Sequence, residues 1–307
     1  MIRFFCGLNQ YNIYPKIANP TFEFCFFALF MSLFIASLNS GSNGNCYYVG
    51  NDSEAVLIDA GISCRETEKR MARLGLSMAQ VKAIFISHEH SDHIRGLDVL
   101  SRKYSLPVYI TEKTLLYSGL PLAEERIRIL KPYHPVAVGE LSVQAFPKIH
   151  DAADATSFMV TGKGINIGVM TDLGDVCKHV LMHFKKCHAT FLEANYDEEM
   201  LQNGRYPYHL KKRISGGRGH LSNRQALELF TRHKPAFMSH VLLSHLSADN
   251  NNPELVQQLF SEQAGNTEVI VASRHVESAV YTITNNGFVD HTLHHAQLMR
   301  TEQLSLF

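Results

Sequence analysis

Ile84-Phe-Ile-Ser-His88-Glu-His90-Ser-Asp92-His93 joins an apolar run to four side chains that can ligate a metal. Ile84 to Ile86 reads as a buried strand. His88 and His90 are two residues apart, so they point the same way while the chain stays extended. Asp92 and His93 come where the chain turns into Ile94, Leu97 and Leu100, a spacing that suits a helix. A single His on an apolar strand is more often a core residue with its hydrogen bonds satisfied. Four such groups in six residues are a ligand set, and one short segment can present them to two adjacent metal ions.

The rest of the composition is consistent with this. The chain has 307 residues, room for one large domain or two small ones, with 45% hydrophobic residues to form a core. Formal net charge is zero, so nothing global points to nucleic acid or an acidic membrane, although a local basic groove is still allowed. Seventeen His suit a metalloprotein. Cys6, Cys25, Cys46, Cys64, Cys177 and Cys187 are scattered without a C-x-x-C pair, which fits a reducing cytosol and a cytoplasmic protein. Phe22 to Leu38 is nearly continuous apolar sequence and could pass for a signal segment or anchor. Glu23 lies inside it, only Arg3 and Lys16 precede it as cations, and no cleavage site follows, so no membrane is expected. Leu33 to Leu38 instead makes a first strand, leading into the turn-rich loop Asn39-Ser-Gly-Ser-Asn-Gly-Asn45. Met31 is expected to be the natural start, with residues 1–30 an extension.

Further strands are predicted at Cys46–Val49, Ala55–Ile58, Pro107–Ile110, Leu141–Phe146, Ile165–Met170, Ala189–Glu193, Phe237–Leu243, Glu268–Ala272 and Ala279–Thr284. Helices are predicted over Ser63–Leu74 with Gly75 closing it, from Thr114, from Ser222 or Asn223 to about His233, and over Glu254–Gln263. No solenoid-type repeat is visible. Strand after strand ends in a polar group: Asp59, His150-Asp151, Asp172, Glu193 and His245. Active sites gather where strand ends converge. An acid such as Asp59 after a buried strand either caps a turn or orients the ligand loop from behind, and the second role is favoured; Asp151 is assigned the same role. The mixed alternation implies an α/β protein with two layers of sheet and helices outside.

His88-Glu-His90-Ser-Asp92-His93 followed by His150, Asp172 and His245 resembles the metallo-β-lactamase superfamily, over about Leu33 to Val289. More narrowly, Ser40–Asn45, Tyr206–Lys211, Gly219–Asn223 and His245–Asn250 resemble its bacterial YycJ/WalJ branch, which implies a DNA-processing phosphodiesterase of 5′-to-3′ exonuclease type. The resemblance implies a four-layer αβ/βα sandwich of two mixed β-sheets and outer helices, spanning residues 31–292. It implies that His88, His90 and His150 bind one metal, that Asp92, His93 and His245 bind a second, and that Asp172 bridges them, with Asp92 also counted as catalytic. Such a pair can hold a hydroxide and stabilise charge on a phosphoryl group. Imidazole-rich ligation suits Zn(2+); the carboxylates leave Mn(2+) or Fe(2+) open. His220, ahead of a predicted helix N-terminus, is implied to contact phosphate or to donate a proton to the leaving oxygen. A lactamase of this fold usually has a Cys among its second-metal ligands, and none falls there; Cys177 is read as a buried structural thiol on a helix. A glyoxalase II-like thioesterase shares nearly the same ligands and is the alternative activity; a non-enzymatic scaffold would not need them all.

Lys211, Lys212, Arg213 and Arg218 cluster with Tyr206 and Tyr208 just before His220. Cations that track phosphates, interleaved with rings that stack bases, are what a nucleic-acid groove needs. Ser40, Ser42 and Asn45 are expected to add hydrogen bonds to substrate, and Ser222 and Asn223 to lie at the same groove. The tail, 293–307, ends in Gln303-Leu304-Ser305-Leu306-Phe307, which resembles the bacterial sliding-clamp-binding peptide, with Leu304, Leu306 and Phe307 as apolar anchors.

Overall fold

A computed structural model describes residues 32–285. The 1–30 extension, Met31, the last residues of the 31–292 domain and the clamp-like tail lie outside them. Two seven-stranded sheets face each other, ordered β14-β1-β2-β3-β4-β5-β6 and β13-β12-β11-β10-β9-β8-β7. The first holds β1 (Ser32–Asn39), β2 (Cys46–Gly50), β3 (Ala55–Ile58), β4 (Val81–Phe85), β5 (Val108–Ile110), β6 (Ile127–Ile129) and β14 (Tyr281–Thr284). The second holds β7 (Val136–Val138), β8 (Leu141–Pro147), β9 (Thr156–Gly162), β10 (Ile165–Met170), β11 (Ala189–Glu193), β12 (His240–Ser244) and β13 (Glu268–Val271). In each sheet three antiparallel pairings lead to three parallel ones.

Central strands such as β3 and β11 are buried along their whole length because both faces of the sheet are covered. Alternate residues of β1 divide between two cores: Leu33 and Ile35 face the other sheet, whereas Ala36 and Leu38 face the helices Cys64–Arg73 and Leu97–Tyr104. A third core packs the second sheet beneath the helices Lys178–Phe184, Asn223–His233 and Pro253–Ser261. The result is the expected four-layer sandwich.

Several boundaries differ from the sequence reading. Thr111, not Thr114, caps the helix Glu112–Ser118: its hydroxyl accepts the Thr114 N–H. Phe237 to Ser239 precede β12 rather than belonging to it. β6, β7 and β9 were not expected at all. Ser222 is the N-cap of Asn223–His233, closed by a reciprocal capping box with Gln225. Cys177 is corrected: it precedes the helix Lys178–Phe184 as its N-cap residue and is only partly buried.

Candidate metal centre

The ligand loop leaves β4 at Phe85 and is laced to its neighbours by main-chain bonds. Asn45 N–H donates to Asp92 O, Gly61 N–H to Asn45 O, and Ala60 N–H to His93 O. Gly61 is required here, since a Cβ would lie 1.6 Å from Asp92 O. Three residues at the edge of the site follow strand ends in the left-handed region: Asp59 (φ 63°), Asp172 (φ 55°) and His245 (φ 58°). Non-glycine residues avoid that region, and its use at a site marks imposed geometry.

These turns bring His88, His90, Asp92, His93, His150, Asp172 and His245 into one cluster. His88 Nε2 lies 3.1 Å from His90 Nδ1, which lies 3.4 Å from His150 Nε2. In the second group His93 Nε2 is 3.5 Å from Asp92 Oδ2 and 3.3 Å from Asp172 Oδ2, and His245 Nε2 is 3.4 Å from Asp92 Oδ2. Ligand bonds of about 2.0–2.1 Å in a tetrahedron put neighbouring ligand atoms about 3.3–3.4 Å apart. Asp172 Oδ2 and His245 Nε2 are buried with no hydrogen-bond partner, both in this second group. Orphaned buried polar atoms at ligand spacing are what a cation would satisfy, so the donor set fits divalent metal.

Four of the five rings, those of His88, His93, His150 and His245, are tied from behind through the other nitrogen. Asp59 takes the His93 Nδ1–H at 2.7 Å and the Ser87 hydroxyl at 2.8 Å; Ser87 Oγ lies 2.9 Å from His88 Nδ1. His150 Nδ1–H donates to Gly219 O at 2.9 Å. Glu193 accepts from His245 Nδ1 at 3.1 Å and His220 Nδ1 at 2.8 Å. This fixes the inward nitrogens of His88, His93, His150 and His245 as acceptors for metal.

Charge points the same way. Asp59, Asp172 and Glu193 are fully or almost fully buried, and Lys148, whose Nζ donates to Thr171 O at 2.7 Å, is the buried cation among them. Burial works to lower the pKa of His245, but Asp172, Asp92 and Glu193 overcome it and raise the pKa to about 10. In contrast, burial dominates at His150, pushing it down to about 3, and lowers His88 as well. Burial thus disfavours positive charge on the first trio, whereas the carboxylates of the second group favour it among them.

Other anticipated residues divide. His220 lies between the rings of His150 and His245, at centroid distances of 5.4 and 5.1 Å, and lines a cleft of about 180 Å³ with Ser42, Tyr206 and Arg213. Ser40 and Asn45 are buried and spent on the cluster: Ser40 Oγ accepts the His245 N–H, and Asn45 Nδ2 reaches Asp92 Oδ2. Arg213 Nε pairs with Asp151 Oδ2 at 2.5 Å, beside His150. Lys211 Nζ donates to Gln202 O, Lys212 is exposed, and Tyr208 stands 79% exposed on the helix Tyr208–Ser215. Ser222 and Asn223 are buried in internal hydrogen bonds, Asn223 with Asn251, and do not line the cleft. Glu193, Ser87 and Lys148 were not anticipated as site residues. The one available signal for Glu193 was its place at the end of an apolar strand.

The model of the β-lactamase superfamily domain matches residues 54–246. The chain belongs to the metallo-β-lactamase superfamily. Within that superfamily it is 37% identical over 237 residues to exodeoxyribonuclease YycJ of Bacillus anthracis, spanning 76% of this chain and 89% of that protein. It is 31% identical over 238 residues to exodeoxyribonuclease WalJ of Streptococcus pneumoniae D39, spanning 76% and 88%. Among solved structures, the metallo-β-lactamase fold protein YhfI of Bacillus subtilis aligns with TM-score 0.63 at 14% identity, covering 82% of this chain and 99% of that one. The short form of human tRNase Z aligns with TM-score 0.56 at 17% identity, covering 80% and 98%. These last two share the fold. As a superfamily member with this ligand cluster, the chain is a metal-dependent hydrolase. Among the described residues no helix is long and apolar enough to cross a membrane.

Proposed function

We propose that the chain is a two-metal phosphodiesterase acting on DNA, a 5′-to-3′ exonuclease serving replication-linked or mismatch repair in the cytoplasm. The observation that carries this reading is the Glu193–His220 pair set against the Asp172 cluster. His88, His90 and His150 would hold one cation, Asp92, His93 and His245 the other, and Asp172 would lie between them. When bound, the cations supply an activated water and positive charge at the attacked phosphoryl group; Zn(2+) suits the imidazole-rich set, with Mn(2+) or Fe(2+) accommodated by its carboxylates.

His220 handles the leaving oxygen. Its Nδ1–H is held by Glu193, and its Nε2 has no hydrogen bond to the described residues. Protonated at both nitrogens, the ring gives the Nε2 proton to the departing alkoxide and returns to neutral with Nδ1–H still on the carboxylate. Tyr206 and Arg213 line the cleft, and they would track the strand together with Tyr208, Lys211 and Lys212 of the adjoining helix. The names of YycJ and WalJ support DNA as substrate. The sequence Gln303–Phe307 supports recruitment by a bacterial sliding clamp.

The test is the metal-loaded full chain on 5′-labelled duplex and single-stranded DNA, alongside a glutathione thioester. Expected are labelled mononucleotides from the start of the reaction, with binding that falls steeply with salt. Thioester cleavage without DNA cleavage would replace this reading with a glyoxalase II-like one. Deleting residues 303–307 should abolish clamp capture and spare hydrolysis of short DNA; a wild-type chain that captures no clamp removes the partner.

A further inference from the structure

We propose that a second cavity, behind the first loop, binds the base and sugar of the nucleotide adjoining the attacked phosphate; this rests on the phosphodiesterase reading above. The cavity is about 590 Å³ and meets the His220 cleft along Leu246 and Ser247. That volume lies within the ~300–1,000 Å³ of small-molecule pockets. Its lining includes Ala248, Pro253 and Val271, an apolar surface for the flat faces of a base. Asn43, Ser273 and Arg274 also line it and supply the polar edge. Arg274 pairs with no carboxylate among the described residues; its Nη2 donates to Ser42 Oγ at 2.9 Å. A guanidinium free of acids beside a phosphate-handling cleft is matched to the backbone of a strand.

The cavity is preformed. Ser40 N–H donates to Ser273 O, and Asn43 Nδ2 to Arg274 O at 2.7 Å. The buried Arg70 spans Leu38 O, Asn39 Oδ1 and His275 O, tying the end of β1 to the far wall. Arg73 holds Glu277 through two nitrogens. Gly41, at φ 135°, lets Arg274 lie across the loop, because a Cβ would stand 3.3 Å from its Nη2. The same Ser40 that pins this wall accepts the His245 N–H, so cavity and metal cluster share a rigid partition. A nucleotide with its phosphate at His220 and His245 has this cavity as its adjoining apolar space.

The test compares binding of dAMP and inorganic phosphate to the metal-loaded full chain by calorimetry. Wild type should bind dAMP about tenfold more tightly than phosphate, or better, because only dAMP buries apolar surface here. Ala248→Trp fills the cavity from an exposed position and should bring the two affinities to within about threefold; Arg274→Ala should reduce the preference in part. A wild type with no preference, or a preference untouched by Ala248→Trp, overturns the proposal. Binding of dAMP that appears only after deletion of residues 293–307 overturns it too, in favour of the tail as occupant. DNA hydrolysis by the same preparation is scored separately. Its absence together with a cavity-dependent dAMP preference counts against the phosphodiesterase reading and leaves the nucleotide cavity standing.

Discussion

Replacing His220 with Ala separates two roles that the site geometry allows, proton delivery and phosphate binding. The ring is held by one bond, from Nδ1 to Glu193 Oε1 at 2.8 Å, and its side chain is 20% exposed. Removing it leaves Glu193 with His245 Nδ1, Leu173 N–H and Leu221 N–H, so three of its four donors remain. The folding cost is that of one charge-assisted hydrogen bond, about 1.5–3 kcal/mol, and the variant should fold and load metal. The catalytic cost depends on the leaving group. A deoxyribose alkoxide needs a proton as it departs, and loss of a positioned acid costs about 10²–10⁴-fold. A p-nitrophenolate departs as a stable anion, so hydrolysis of a p-nitrophenyl phosphodiester should fall by less than about tenfold on the same argument. The assay is turnover of a 5′-labelled oligonucleotide and of the aryl diester, with metal content measured on both proteins. Equal losses on the two substrates at wild-type metal content would refute proton delivery and leave phosphate binding. No loss on either would remove His220 from the chemistry.

Glu193→Gln preserves shape, but a single amide oxygen can serve only about two of the four donors, leaving two buried donors against an NH2 group at about 2–6 kcal/mol. Melting should fall by at least about 4 °C and the affinity for metal by about tenfold or more; a variant that melts with wild type contradicts the arrangement. Chelation should lower Tm by about 5–10 °C, since a ligand at a hundredfold its Kd stabilises the folded state by about 2.7 kcal/mol; a Tm indifferent to chelator and to added Zn(2+) would show that the orphaned Asp172 Oδ2 and His245 Nε2 hold no cation. Lys148→Met removes the buried positive charge near Asp172, Asp59 and Glu193, so the gap in Tm between metal-loaded and chelated protein should widen. An unchanged gap would mean Lys148 does not balance those acids.

What was legible in the sequence was local or strongly patterned. Ile84 to His93 declares itself because strand, turn and four candidate ligands are contiguous. The start of the helix that Ser222 caps was legible to within one residue, Ser222 or Asn223, for the same reason. β9 was not: Thr156, Ser157 and Thr161 interrupt its apolar run, yet six of its seven residues are buried, so neither alternation nor a continuous hydrophobic stretch appears. β6 and β7, three residues each, carry too little pattern to register. Glu193 ends a strand much as a simple turn cap would, and only the fold sets His220 and His245 against it. Ser40 and Asn45 sit in a polar loop that looks like a substrate contact, but the loop folds inward and commits both to the cluster. The left-handed turns at Asp59, Asp172 and His245 have no glycine to mark them.

Those turns also disclose an internal correspondence that the sequence hides. Each sheet runs three antiparallel pairings and then three parallel ones, so β3 and β10 hold the same place in their sheets. Each is followed by a left-handed aspartate, Asp59 after β3 and Asp172 after β10. The next strand in each sheet then delivers the neighbouring polar groups: β4 leads to Ser87 and His88, and β11 ends in Glu193. Equivalent positions have diverged in task. Asp59 is saturated by His93, the Ser87 hydroxyl and the Ser87 N–H, and so serves as a brace. Asp172 keeps Oδ2 unpaired and turns it toward His93 Nε2, where a cation would sit. The carboxyl ends of parallel strands supply such groups because their side chains emerge from a rigid sheet into an open crevice. A sandwich that brings two such ends together thus offers both a brace and a ligand, and the choice between them rests on how many hydrogen bonds each carboxylate already accepts.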